Sequence, residues 1–106
     1  SAPVRPMDFR TLGSLDFEAP DTDTFRCLAL AKEASIAGGT VPCAMNAANE
    51  VAVAAFLAGE CSFLDIANCV EHVMDAHTRE DVESLEQLLE VDDLSREAAR
   101  AFVDSR

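Results

Sequence analysis

The sequence predicts an all-α fold: a roughly four-helix antiparallel bundle with an extended N-terminal arm. Three observations carry it. Apolar residues recur at three- and four-residue spacing over most of the chain after residue 23, strand-like alternation is nearly absent, and the connections between periodic segments are short. The length of 106 residues suits one compact domain that buries about two-thirds of its unfolded surface without needing staples.

Residues 1–23 form the arm. They hold Pro3, Pro6 and Pro20, three of the four prolines, and their apolar residues follow no helical spacing. Leu15 and Phe17 alternate with Asp16 and Glu18, which suits a short extended piece with one face covered. The bundle domain takes residues 24–106. The cluster Asp21-Thr22-Asp23-Thr24 offers N-caps for a first helix whose inward stripe is Phe25, Leu28, Ala29, Lys32 and Ile36. Gly38-Gly39 ends it, and Pro42 suits the first turn of the next helix. That second helix, about Cys43 to Ala58, is apolar nearly all round and so belongs in the middle, with Phe56 in the core. A third, about Asp65 to Ala76, places Ile66, Cys69, Val70, Val73, Met74 and His77 on one stripe. A short fourth follows Ser84, carrying Leu85, Leu88 and Leu89. A last helix, about Asp92 to Val103, turns Val91, Leu94, Ala98, Ala101 and Phe102 to one side.

Eight Lys and Arg stand against twenty Asp and Glu, a net charge of −12. Nucleic acid and anionic membrane both require clustered cations, so neither is an expected partner. No run of eighteen apolar residues occurs, so no membrane span is expected, and no signal peptide is visible in the opening residues. Cys27, Cys43, Cys61 and Cys69 sit inside apolar or helical patterns, which reads as reduced thiols used as small hydrophobes in a cytoplasmic protein.

Sites for chemistry are scarce. Cys61, Cys69, His72 and His77 lack the paired spacing of a structural zinc site, and Cys69 and His72 fall on different sides of one helix. Cys69 and His77 stand eight residues apart, roughly 12 Å along a helix axis. The glycines form no phosphate-binding pattern. No catalytic, cofactor-binding or metal-binding residue is therefore expected. What stands out is Asn46, Asn49 and Glu50, three polar residues at i, i+3 and i+4 on the otherwise apolar second helix. They serve either a structural role, capping the helix or bonding the incoming arm and a neighbouring loop, or a face that meets another domain or a ligand.

The segment MNAANEVAVAAFLAGECSFLDI, Met45 to Ile66, resembles a signature region of the 1-deoxy-D-xylulose 5-phosphate reductoisomerase family. Leu12 to Asp21 looks like the stretch that leads into that family's C-terminal domain. Phe25 to Ala31 with Gly38-Gly39 resembles its first helix, and Ser84-Leu85-Glu86 and Ser95 to Arg100 resemble its tail. Met45 stands where the family more often has Leu, a volume-conserving swap. The resemblance implies that the chain is the C-terminal helical part of an enzyme about four times longer. That enzyme uses NADPH and a divalent metal (Mg, Mn or Co) to make 2-C-methyl-D-erythritol 4-phosphate in non-mevalonate isoprenoid biosynthesis. It implies, further, that this part is non-catalytic, binds no cofactor itself, docks on the catalytic domain of the same enzyme, and belongs to a parent homodimer. A second class of function starts from charge alone. No Lys or Arg occurs between Glu33 and Asp75, where six acids lie, so a free-standing acidic helical adaptor for a basic protein is the alternative.

Overall fold

A computed structural model describes residues 19–106, with side chains from Thr24 onward. The arm read from the sequence lies for the most part outside the described residues. Four helices follow one another: α1 (Ala19–Ala37), α2 (Val41–Leu57), α3 (Phe63–Ala76) and α4 (Leu85–Asp104). No strand occurs among the described residues. The central pair is α2 and α3, against which α1 packs on one side and α4 on the other. The all-α four-helix reading therefore holds.

The helix ends follow from local chemistry. Helix α1 begins at Ala19, a turn earlier than the polar cluster suggests, with Pro20 in the first turn where its missing N–H is no loss. Gly38 and Gly39, with φ of 68° and 58°, make the turn into α2. At Gly39 a Cβ would collide with the Glu80 carbonyl oxygen, so glycine is needed there for space as well as conformation. Helix α2 ends in a Schellman motif: Gly59 (φ 80°) donates to Phe56 O at 3.0 Å and Glu60 to Ala55 O at 2.9 Å. Helix α3 opens on a capping box that the sequence reading passed over. Ser62 Oγ accepts from the Asp65 N–H at 3.3 Å, and Asp65 Oδ2 accepts from the Ser62 N–H at 3.1 Å. Ser84 caps α4, accepting from the Gln87 N–H at 3.1 Å.

Four expectations need correction. The first concerns α4, which is one continuous helix where two were expected, because no Gly or Pro interrupts residues 85–104. The second concerns its inward row, which is Val91, Ser95, Ala99 and Val103, a strict i, i+4 series. Leu94 is 58% exposed and Ala101 also faces outward. Small residues win that face because α2 opposite is lined with alanine.

The third correction is in α1. Its inward face carries Leu30 and Ala34, with Cys27 packed beside them. The stripe expected inside points out: Leu28 is 61% exposed and Ile36 76%, and Phe25 and Lys32 are exposed too. On a 3.6-residue helix the two sets lie on opposite sides, so α1 is apolar on both.

The core is made of small side chains. Ala44, Ala47, Ala48, Ala52, Ala67, Cys69 and Ala99 are fully buried, and Val70 is the largest side chain that is. Phe56 is half-buried at the rim, edge-on to Phe63 with ring centroids 5.5 Å apart. It does not sit in the centre as the sequence suggested.

Candidate functional site

The three polar residues of α2 lie toward the surface, with Asn46 and Glu50 exposed and Asn49 half-buried. Asn46 Nδ2 donates to Glu50 Oε2 at 3.3 Å. The other Glu50 oxygen accepts from Arg96 Nη2 at 2.7 Å, and Arg96 Nε donates to Asp92 Oδ2 at 2.8 Å. A polar row thus runs from α2 to α4. Its centre is Arg96, a residue the sequence reading did not single out. The hydrogen bond to Asp92, followed by that to Glu50, holds the guanidinium above its ordinary pKa, so it stays charged throughout. Asn46 and Glu50 are brought together with α4, whereas none of the three serves as the cap of α2. That position belongs to Thr40.

Other arginines bind the same elements. Arg100 bridges Glu60 in the α2–α3 turn and Asp104 on α4. Arg106 Nε reaches Asp65 Oδ1 at 3.2 Å and its guanidinium lies 4.8 Å from the Phe102 ring centroid. Arg26 ties α1 to α3, donating to Asn68 Oδ1 at 2.6 Å and pairing with Glu71. Among the described residues, Arg26, Arg96, Arg100 and Arg106 thus each join two parts of the bundle.

A second polar group sits where the two glycines meet the α3–α4 loop. Thr40 is fully buried, and its Oγ1 lies 2.8 Å from His77 Nε2 and accepts from the Glu80 N–H at 3.1 Å. Thr40 N–H donates to Glu80 O at 2.9 Å, and Arg79 Nε donates to Ala37 O at 2.7 Å, covering the end of α1. These bonds pin the loop to the turn. They leave the His77 ring occupied at Nε2. A groove of about 190 Å³ beside it is lined by Val73, Ala76, Leu94 and Ala98, below the size of most ligand pockets.

The sulfur chemistry is quiet. All four cysteines are free. Burial first, then Cys61 and Asp65, pushes the Cys69 thiol up to about 11, and burial likewise raises Cys43 and Cys61. Cys69 Sγ faces Ala99 O at 3.7 Å inside the core, while His72 stands outside against the Phe102 ring, so the two do not meet. Among the described residues no three His, Cys, Asp or Glu converge as a metal site would require. No helix there is long and apolar enough to cross a membrane.

Comparison with known proteins supplies what the geometry does not. The sequence profile of the DXP reductoisomerase C-terminal domain matches residues 1–98. The 1-deoxy-D-xylulose 5-phosphate reductoisomerase of Protochlamydia amoebophila is 53% identical over 95 residues, which is 90% of this chain and 25% of that protein. The Nitrosomonas eutropha enzyme of the same name is 46% identical over 103 residues, 97% of this chain and 25% of that one. Among solved structures, the reductoisomerase of Zymomonas mobilis in complex with NADPH superposes with a TM-score of 0.74 at 44% identity. The match covers all of this chain and 28% of that one. The chain spans about a quarter of the length of the relatives it matches. With its sequence matched over nearly its whole length and its four helices superposing on the corresponding quarter of a solved reductoisomerase, the chain belongs to the DXP reductoisomerase C-terminal domain family.

Proposed function

We propose that the chain is the structural, non-catalytic helical part of a 1-deoxy-D-xylulose 5-phosphate reductoisomerase, docked on the catalytic domain of the same polypeptide. The parent enzyme rearranges the carbon skeleton of its substrate and reduces the product with NADPH, aided by a divalent metal, to give 2-C-methyl-D-erythritol 4-phosphate. The residues described here do not fit either group: no acidic cluster converges, and the sequence carries no glycine-rich dinucleotide fingerprint. NADPH and metal therefore bind to the part of the parent that lies outside this chain. The parent acts as a cytoplasmic homodimer.

What supports this reading is one pairing of facts. The chain matches the C-terminal quarter of the relatives over nearly all its own length, and among the described residues Arg26, Arg96 and Arg100 each bridge its own elements. Asn46 and Glu50 are part of that bracing, helping Arg96 hold α4 against α2. A free-standing acidic adaptor has no observation in its favour beyond charge.

The test is a fusion. Joined to the N-terminal three-quarters of the Nitrosomonas eutropha enzyme, the chain restores NADPH oxidation with substrate and Mn²⁺; alone it gives none. Turnover by the 106-residue chain alone, or a folded fusion that neither oxidises NADPH nor binds substrate, overturns the proposal.

A further inference from the structure

The outward stripe of α1 asks for a partner. Leu28, Ala29 and Ile36 face solvent on one side of the helix with Lys32 between them, and Leu28 and Ile36 are 61% and 76% exposed. The opposite side of the same helix already supplies Leu30 and Ala34 to the core. A helix needs one apolar face to join a bundle; a second, of larger side chains, marks a surface that is covered in the working protein.

We infer that this stripe is the surface on which the catalytic part of the same polypeptide docks, which makes the docking in the proposed function a specific face and rests on that reading. Size and charge select this occupant. From Leu28 to Ile36 the stripe runs about 12 Å along one helix, and one such face offers well under the ~800 Å² per partner that stable association between separate molecules uses. A contact that small holds only when its partner is tethered, where effective concentrations reach the millimolar range. Helix α1 is placed for that. It begins at Ala19, about two and a half turns before Leu28, and in the relatives the remaining three-quarters of the polypeptide lies ahead of the matched domain. A second copy of this chain is disfavoured because each carries −12, and like charge opposes close approach within the ~8 Å screening length.

The double variant Leu28→Asp/Ile36→Asp tests it in two settings. In the 106-residue chain the melting temperature shifts by less than about 2 °C, and sedimentation shows a monomer with or without the substitutions. In the fusion with the Nitrosomonas eutropha enzyme the melting temperature of the same helices falls by about 5 °C or more. An equal shift in both settings shows that the stripe is covered within the chain itself, and overturns the inference. So does a wild-type dimer that the variant dissociates, or a fusion indifferent to the change. Docking is read from stability and function from turnover. A wild-type fusion with raised bundle stability but no NADPH oxidation therefore leaves the docking face standing while the enzymatic reading falls.

Discussion

The inner face of α2 and the outer face of α1 invert the usual relation between residue size and burial. Inside, α2 presents Ala44, Ala47, Ala48, Ala52 and Ala55, each at most 2% exposed. Outside, α1 presents Leu28 and Ile36, each more than half exposed. Small side chains let helix axes approach closely, so the alanine face gains close packing from backbone and Cβ contacts over its whole length. Large side chains gain most from burial, so their place on the outside signals a missing cover. Where the sequence puts alanine, the bundle closes on itself. Where α1 turns leucine and isoleucine outward, it is built to meet something else.

The largest expected effect comes from breaking the inner face. Ala48→Leu adds three carbons where no space exists and costs about 2–3 kcal/mol in urea unfolding. A loss under about 0.5 kcal/mol would show slack in the centre and undo the contrast. The capping box of α3 gives a middle-sized effect. Asp65 is buried, and its hydrogen bonds from Ser62 first, with Arg106 adding, hold the carboxyl below its ordinary 3.8 in spite of burial. Its native value lies below the unfolded one, so its contribution is fully present above about pH 5 and disappears as pH falls through the native value. Asp65→Asn therefore costs about 1 kcal/mol at pH 7 and progressively less toward pH 2, measured by denaturant unfolding at both ends. A cost that is the same at both ends assigns the stabilisation to shape rather than charge. The smallest effect belongs to the outer face: Ile36→Ala changes the stability of the 106-residue chain by less than about 0.5 kcal/mol. A larger loss would place Ile36 in the chain's own core.

Helix order and most helix ends were legible because they depend on neighbours in sequence, whereas the count ran one too high where α4 read as two helices. Gly38-Gly39, Gly59 and Ser84 act within a turn of themselves, and the α3 stripe is periodic enough to name its buried face without a structure. The capping box was legible too, as Ser62-x-x-Asp65, with its cap ahead of the helix start near Asp65 that the apolar stripe suggests. The candidate polar face was only half legible. Asn46 and Glu50 stand four residues apart in the sequence, but Arg96, which gives Glu50 its role, lies 46 residues away. Thr40 and His77 are likewise joined only by the fold, 37 residues apart.

By itself, then, the sequence determined an acidic all-α domain, the places where its helices stop, the middle position of its alanine-rich helix, and its family through contiguous motifs such as Asn46 to Glu50. The tertiary structure decided which of its two apolar faces α1 turns inward, and it rotated α4 so that Val91, Ser95, Ala99 and Val103 lie inward instead of the row through Leu94 and Ala101. Both choices depend on the surfaces that meet, which is a property of the packed pair and not of either helix alone.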